Sequence, residues 1–166
     1  MKDIILLVHD IRSAHNVGSL LRTAEGLGVS KVLLSGYTPY PSMPNDARLP
    51  HLSRKLTAQI DKTALGASEY ISWEHIDEPY SLINELKASG YYIVGLEQTP
   101  DAINLSSFTA PDKCLLIIGR EVEGVEQELL DVCDKTVYIP MAGKKESLNV
   151  VQATAIALYH LAYLSA

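Results

Sequence analysis

The chain has 166 residues, of which 47% are hydrophobic, and its formal net charge is −6. This length lies within the roughly 100–200 residues of one domain, so we expect a single domain that spans residues 1–166. The acidic total argues against a polyanionic partner, because proteins that bind polyanions usually carry a basic surface. However, residues 1–62 hold 8 Lys and Arg against 5 Asp and Glu, whereas residues 63–166 hold 6 against 15. Any surface that contacts a polyanion is therefore expected in the N-terminal part.

The cysteines and the apolar runs limit the classes of protein. Cys114 and Cys133 show neither a metal-ligand spacing nor a disulfide framework, and we predict that both are reduced thiols in the core. The apolar run at residues 4–8 is too short for a signal peptide. No run approaches the ~18 apolar residues of a membrane span. We therefore expect a soluble cytoplasmic protein that does not associate with a membrane.

In chain order, predicted strands alternate with predicted helices. Short apolar or β-branched runs, typical of strands covered on both faces, occupy residues 4–8, 31–35, 91–96, 114–118 and 136–139. Helical patterns occupy residues 17–27, 81–89 and 125–132. The alternation predicts an α/β fold with a mainly parallel sheet and helices on both faces.

Two segments do not fit this simple alternation. Residues 37–62 contain four prolines and no clear period, which predicts a long functional loop, with a merely solvated connection as the alternative. Residues 147–164 form a predicted helix that is apolar on nearly every side. Such a helix must be buried, and another subunit is one candidate for its cover.

The turn after the first predicted strand excludes the common nucleotide-binding motifs. Residues 9–18 contain no G-x-G-x-x-G, and the chain has neither a phosphate loop with G-K-[ST] nor a G-x-S-x-G elbow. This turn instead opens an N-x-G-x-x-x-R-T-A motif in which Asn16 and Arg22 lie six residues apart. From spacing alone, Asn16 could be a helix N-cap and Arg22 a solvated helix residue.

The second motif follows the predicted strand at residues 114–118. It reads G-R-E-V-E-G from Gly119 to Gly124, a glycine-rich turn that lets a ligand approach the backbone closely. We predict that this turn opens a helix. Glu121 has a simpler interpretation as a carboxylate at a helix start, where it interacts favourably with the helix dipole.

The third motif reads I-P-M-A-G-K-K-E-S-L-N-V over residues 139–150. Ile139, Pro140 and Met141 end a predicted strand, and Gly143 allows a turn. Ser147 could cap the final helix, so an interpretation based on capping alone is available.

In this order, the three motifs resemble those of the SpoU methyltransferases, a branch of the knotted SPOUT superfamily. The second motif departs from the usual G-N-E form because Arg120 replaces the asparagine. The resemblance covers essentially the whole chain, and it implies an α/β fold with a C-terminal trefoil knot. It also implies S-adenosylmethionine-dependent methyl transfer to a ribose 2′-hydroxyl of tRNA or rRNA. The absence of an extra RNA-binding domain favours tRNA.

The resemblance also implies the residues of the site. Arg22 is the implied catalytic residue, with Asn16, Glu121 and Asn149 as further catalytic residues. The implied cofactor pocket is lined by Leu96, Gly119, Ile139, Met141, Ser147 and Leu148. No metal is required. Five basic residues could contact RNA phosphates, although a solvated-surface role is as good an interpretation for each of them: Arg12, Arg48, Arg54, Lys55 and Lys62.

Members of this family are homodimers, which implies that Arg22 completes the cofactor site of the partner subunit. Arginine side chains are hard to deprotonate in proteins, so we expect Arg22 to stabilise the developing alkoxide or to contact a phosphate. The proton acceptor stays open among the RNA phosphate, Glu121 and His15.

Two alternatives remain open from the sequence. A SPOUT enzyme could methylate an RNA base, although the Arg22 motif and the S-L-N motif favour the ribose. A catalytically silent RNA-binding dimer module could also retain the fold, although the presence of Arg22, Glu121 and Asn149 argues against it.

Overall fold

The computed structural model describes residues 2–165, which contain seven strands. These are β1 (Asp3–His9), β2 (Lys31–Ser35), β3 (Trp73–Ile76), β4 (Tyr92–Leu96), β5 (Ile103–Asn104), β6 (Lys113–Ile118) and β7 (Lys135–Tyr138). They form one sheet in the order β3-β2-β1-β6-β4-β7-β5. Every neighbouring pair is parallel, so all strands end at the same edge of the sheet.

Five α-helices connect and cover these strands. They are α1 (Ala14–Gly26), α2 (Pro50–Ala64), α3 (Tyr80–Ala88), α4 (Gln127–Asp131) and α5 (Val150–Tyr159). A π-helical turn, His160–Leu164, continues α5, and 3₁₀ turns occupy Ala67–Glu69 and Leu105–Ser107. None of the helices within residues 2–165 is long and apolar enough to cross a membrane.

The central strands are apolar on both sides, and the two sides bury different cores. In β1, Leu6 and Val8 pack with α1, α2 and α5, whereas Ile5 and Leu7 pack with α3 and α4 on the other face. Successive strand residues point to opposite faces, so a continuous apolar run is what a doubly covered sheet requires. The predicted α/β fold with a parallel sheet and helices on both faces is confirmed.

The cysteines lie where the sequence predicted. Both are free, Cys114 is fully buried in β6, and Cys133 is partly buried. Burial raises the pKa of each thiol to about 12, which keeps both protonated at neutral pH.

The predicted loop at residues 37–62 is wrong in its second half, where the structure has α2. Pro50 occupies the first turn of this helix, where a missing N–H removes no hydrogen bond. Leu52, Leu56, Ile60 and Ala64 recur every four residues, and the last two are fully buried. This period was hidden by the prolines and basic residues around it.

The helix predicted at residues 147–164 begins later than expected. Asn149, not Ser147, is its N-cap, since the Asn149 side-chain oxygen accepts a hydrogen bond from the Val151 N–H at 2.9 Å. The other elements of this chain do not bury this helix on nearly all sides, although the sequence predicted such burial. Ala157 and Leu158 are buried, but Tyr159 and the neighbouring Ile156 remain about half exposed.

Gly18 in the first motif permits close packing between α1 and α2. A Cβ atom at this position would overlap the Ile60 carbonyl oxygen and the Thr63 hydroxyl oxygen. The Thr63 hydroxyl also donates a hydrogen bond to the His15 carbonyl oxygen at 2.7 Å. The glycine of the motif therefore has a packing function, because it brings α2 against the start of α1.

We expect Gly18→Ala to lower the free energy of unfolding by about 1–3 kcal/mol, because the added methyl group must displace backbone atoms of α2. Denaturant unfolding measures this change. Gly26→Ala is the matched control: Gly26 ends the same helix, and a methyl group added there would meet nothing within 4 Å. It should leave stability within about 1 kcal/mol of the wild type. Equal stability of the two variants would contradict the packing role.

Candidate active site

A cleft lies at the edge of the sheet where β4, β6 and β7 end. In open parallel sheets, ligands bind outside the carboxyl ends of the strands. The cleft is bounded by parts of all three of those strand ends and by the segment that leads into α5. Its lining includes all six residues that the sequence proposed for the cofactor: Leu96, Gly119, Ile139, Met141, Ser147 and Leu148. The structure thus brings together residues from three distant parts of the chain.

The second motif folds back on itself to form one wall of this cleft. The Arg120 N–H donates to the Gly124 carbonyl oxygen at 3.0 Å, and the Gly124 N–H donates to the Arg120 carbonyl oxygen at 3.0 Å. A Cβ atom on Gly119 would overlap the backbone of Gly124 and Val125. Only glycine fits here, because the two ends of the turn pack directly against each other.

Glu97 holds this turn in place, although it was not among the residues predicted from the sequence. It follows β4 directly and lines the cleft. One carboxylate oxygen accepts the Val125 N–H at 3.0 Å, and the other accepts the Gln98 N–H at 2.7 Å. A carboxylate at the end of a predicted inner strand was the available signal, but its partner Val125 lies 28 residues away and could not be read from spacing.

Glu121 connects the second motif to the first. Its carboxylate accepts hydrogen bonds from the Arg12 N–H at 3.3 Å, the Ser13 N–H at 3.2 Å and the Asn16 side-chain amide at 3.4 Å. Glu121 is a carboxylate at a helix start, as expected, but the helix is α1 and not the helix that follows the second motif. The helix after its own turn, α4, begins only at Gln127, whereas Glu121 lies at the start of α1.

The pKa of Glu121 reflects two opposing influences. Partial burial is the largest of them and acts to raise the pKa, but the N–H donors of Glu121 itself, Ser13 and Arg12, together with the Asn16 amide, lower it overall. The group is therefore ionised at neutral pH. A carboxylate with a lowered pKa is a weak proton acceptor, so Glu121 is better suited to hold N–H groups than to take up a proton.

Asn16 and Asn149 both lie at helix starts, but only Asn149 is a cap. The N-cap of α1 is Ser13, whose hydroxyl oxygen accepts the Asn16 backbone N–H at 3.2 Å. The capping interpretation of Asn16 is therefore wrong. Its side-chain amide is directed to Glu121 instead.

Arg22 lies apart from the cleft. It is exposed on α1 and borders a shallow depression formed by α1, Thr63 of α2, and Ala155 and Tyr159 of α5. Within residues 2–165, the depression and the cleft have no lining residue in common. The structure therefore does not place Arg22 at the cleft of its own chain.

A buried histidine at the end of β1 contacts the segment that follows the second motif. His9 Nδ1 lies 2.7 Å from Ser35 Oγ, and His9 Nε2 lies 3.3 Å from carboxylate oxygens of Asp10 and Glu126. The Nδ1 contact is within hydrogen-bond distance, and the other ring nitrogen faces both carboxylates. The ligand atoms of His9, Asp10 and Glu126 lie close enough together to bind a metal ion.

The five basic residues proposed for phosphate contact divide into two groups. Arg12, Arg54, Lys55 and Lys62 are exposed. Arg48 is not free, because its guanidinium pairs with Asp46 at 2.6 Å, donates to the carbonyl oxygens of Tyr40 and Pro41, and lies 3.5 Å from the Tyr40 ring centroid. It holds the segment before α2 together, and we leave it out of the RNA surface.

A parallel α/β sheet with a cleft at its carboxyl edge has the arrangement in which open sheets of this kind bind their ligands. Residues 3–159 match the model of the SpoU rRNA Methylase family. The chain therefore belongs to the SpoU rRNA Methylase family.

Individual relatives agree with this family. A tRNA (guanosine(18)-2'-O)-methyltransferase of Borreliella burgdorferi is 31% identical over 158 residues, which are 95% of this chain and 65% of the relative. The solved structure of the Aquifex aeolicus TrmH/SpoU tRNA modifying enzyme has a TM-score of 0.78 at 26% identity, over 96% of this chain and 73% of the other.

A second solved structure contains a cofactor. The SpoU methyltransferase AviRb from Streptomyces viridochromogenes, in complex with AdoMet, has a TM-score of 0.74 at 26% identity, over 96% of this chain and 59% of the other. This chain spans from 57% to 68% of the length of the curated relatives it matches.

The C-terminal knot stays a prediction. It is supported by the likeness to these solved structures and by the insertion of the last strand, β7, between β4 and β5.

We expect acid to destabilise the wild type more than Glu121→Gln. Because the pKa of Glu121 is lowered by folding, its ionised form contributes stability above the ordinary carboxyl value of about 4.3, and this contribution is lost as pH falls through the lower folded-state value. Denaturant unfolding at a series of pH values below about 4.3 measures the difference. Glu85→Gln, the same change at an exposed position of α3, controls for the loss of one charge. If the free energy of unfolding falls equally with pH in the wild type and in Glu121→Gln, the hydrogen bonds that Glu121 accepts do not stabilise the fold.

Proposed function

We propose that this chain is an S-adenosylmethionine-dependent enzyme that methylates a ribose 2′-hydroxyl of tRNA or rRNA, with tRNA favoured. The observation that carries the proposal is the cleft, which collects all six expected cofactor residues at one edge of the sheet. Membership of the SpoU family and the 2′-O-methyltransferase names of the relatives support the same activity. An RNA substrate of this kind would place the protein in the cytoplasm.

The lining of the cleft suits this cofactor. Leu96, Ile139, Met141 and Leu148 supply apolar contacts for an adenine ring and a methionine chain, and the turn at Gly119 supplies backbone groups. When bound, S-adenosylmethionine supplies a methyl group on a sulfonium, which is an excellent leaving group. The protein must then hold the ribose oxygen in line with that methyl group and stabilise the charge that develops on the oxygen.

Arg22 is the proposed catalytic residue. A guanidinium group suits the stabilisation of a developing alkoxide or the binding of the adjoining phosphate. Glu121, held by three N–H groups, fixes Asn16 and the start of the helix that carries Arg22. Asn149 caps α5 through its oxygen, which leaves its amide free to orient the substrate. The proton acceptor is the RNA phosphate or His15, because the pKa of Glu121 is lowered.

The active form is proposed to be a homodimer in which Arg22 completes the cleft of the partner subunit. The separation of Arg22 from the cleft of its own chain supports this arrangement. The depression beside Arg22 adjoins exposed apolar residues of the last helix, a surface suited to cover by a second copy. These residues are Ile156, Tyr159, Tyr163 and Leu164.

We also propose that residues 1–166 form one domain, because both core clusters share the same sheet.

RNA contacts are proposed on the basic N-terminal part. Arg54, Lys55 and Lys62 project from exposed positions of α2, and Arg12 is exposed beside the cleft. Such residues bind phosphates without reading sequence, so they provide affinity and orientation.

Digestion of the methylated RNA tests the reaction. The purified chain is incubated with S-adenosylmethionine and total RNA from cells that lack the gene, and the RNA is digested to nucleosides and analysed by mass spectrometry. Methyl groups on ribose are the expected result. Methyl groups on a base would support the alternative SPOUT activity. No transfer, together with no cofactor binding in calorimetry, would support a catalytically silent RNA-binding module.

Arg22→Ala should reduce turnover by roughly 10²–10⁴, the range typical of a lost catalytic group, while the calorimetric affinity for S-adenosylmethionine barely changes. Arg22→Lys retains the charge but not the planar fork, so intermediate turnover is expected. Steady-state methyl transfer to the same RNA measures both variants. Wild-type turnover in Arg22→Ala would remove Arg22 from the mechanism.

A further inference from the structure

An exposed tyrosine and an exposed arginine form a pair at the carboxyl edge of the sheet. Tyr37 follows β2 and Arg12 follows β1, and these two strands are neighbours. The Arg12 guanidinium carbon lies 6.0 Å from the centroid of the Tyr37 ring. Tyr37 is 51% exposed, so the ring retains room for another planar group.

The backbone that carries Tyr37 is fixed. Its N–H donates to Asp10 Oδ1 at 3.0 Å, and Gly36, at φ 63°, packs so closely on the same carboxylate that a Cβ atom would overlap it. The next residue, Thr38, is buried, and its hydroxyl oxygen accepts the Ile11 N–H at 3.1 Å. An exposed aromatic ring on a rigid turn loses little conformational entropy when it binds a ligand.

The pair lies beside the proposed cofactor cleft. The Arg12 backbone N–H donates to Glu121, which lines the cleft, and the Arg12 side chain lies 3.9 Å from Glu123, which also lines it. Both members of that ion pair are exposed, so a phosphate can replace Glu123 at small cost. Across the sheet, β2 lies two strand spacings from β6, about 10 Å, which is within reach of a neighbouring nucleotide.

We propose that Tyr37, backed by Arg12, is a stacking platform for an unpaired nucleobase that neighbours the methylated nucleotide. The inference rests on the proposed function and specifies its substrate class, a nucleotide in a single-stranded loop or bulge. Unpaired bases stack on aromatic side chains, and guanidinium groups add charge to such platforms. In a regular duplex the base would stay stacked on its own neighbours and could not use the ring.

Kinetics of Tyr37 variants test the platform. The full chain is assayed for methyl transfer to total RNA from cells that lack the gene, and apparent KM for RNA is measured beside calorimetric affinity for S-adenosylmethionine. Tyr37→Ala should raise the KM for RNA by roughly tenfold, the scale of one lost base stack, with cofactor affinity unchanged. Tyr37→Phe keeps the ring and should retain the wild-type KM, whereas Tyr37→Leu should behave like Tyr37→Ala.

Tyr70→Ala is the matched control. Tyr70 is 78% exposed but precedes β3, so it lies at the amino-terminal edge of the sheet, opposite the cleft. Equal KM values for Tyr37→Ala and Tyr70→Ala, wild-type KM in Tyr37→Leu, or a parallel loss of cofactor affinity would each overturn the platform and leave the methyltransferase activity intact. If the wild type transfers no methyl group to RNA, the proposed function fails and the platform fails with it.

Discussion

The Glu121 carboxylate joins two parts of the chain that are more than 100 residues apart, and the geometry of the site depends on it. Its oxygens accept hydrogen bonds from N–H groups at the start of α1, so the second motif determines where that helix begins. The His9 contact with Glu126 makes a second connection between the same two turns. Because α1 carries Arg22, these connections also determine the direction in which the proposed catalytic arginine leaves the sheet.

The conformation of the second motif has two separate supports. Glu97 accepts the Val125 N–H at one end, and the reciprocal hydrogen bonds between Arg120 and Gly124 close the turn. Arg120, which stands where the family usually has asparagine, therefore closes the turn through its backbone. Its side chain extends to Glu126, 3.8 Å away, so the substitution joins the same network of charges that includes His9.

The sequence predicted the parts of the fold that are buried on both sides. β1, β2, β4, β6 and β7 are inner strands with continuous apolar runs, whereas the edge strands, β3 and β5, have no such run and were missed. The second half of the predicted loop was wrong because Pro50 suggests irregular structure although it is well suited to a first helical turn. The local hydrophobic pattern indicates which strands are buried on both faces, but it gives little information about edge strands.

The sequence indicated which residues line the cleft, but it did not indicate the contacts that hold the cleft together. The resemblance supplied the six residues that line the cleft, but no spacing could place Glu97 against Val125 or Gly18 against Ile60. Nor could it distinguish Arg48, which is folded onto Tyr40, from basic residues that remain exposed. Such contacts depend on long-range packing, which is not visible in the local sequence.

The central claim, that one active site is divided between two copies of the chain, is tested most directly by co-expressing two inactive variants. Arg22→Ala keeps the cleft, and Leu148→Asp places a charge in the cleft but keeps Arg22. About a quarter of wild-type activity is expected, since half of randomly formed dimers are mixed and each of these has one complete site. If the mixed preparation is as inactive as each variant alone, Arg22 does not act on the partner's cleft, and the account is wrong.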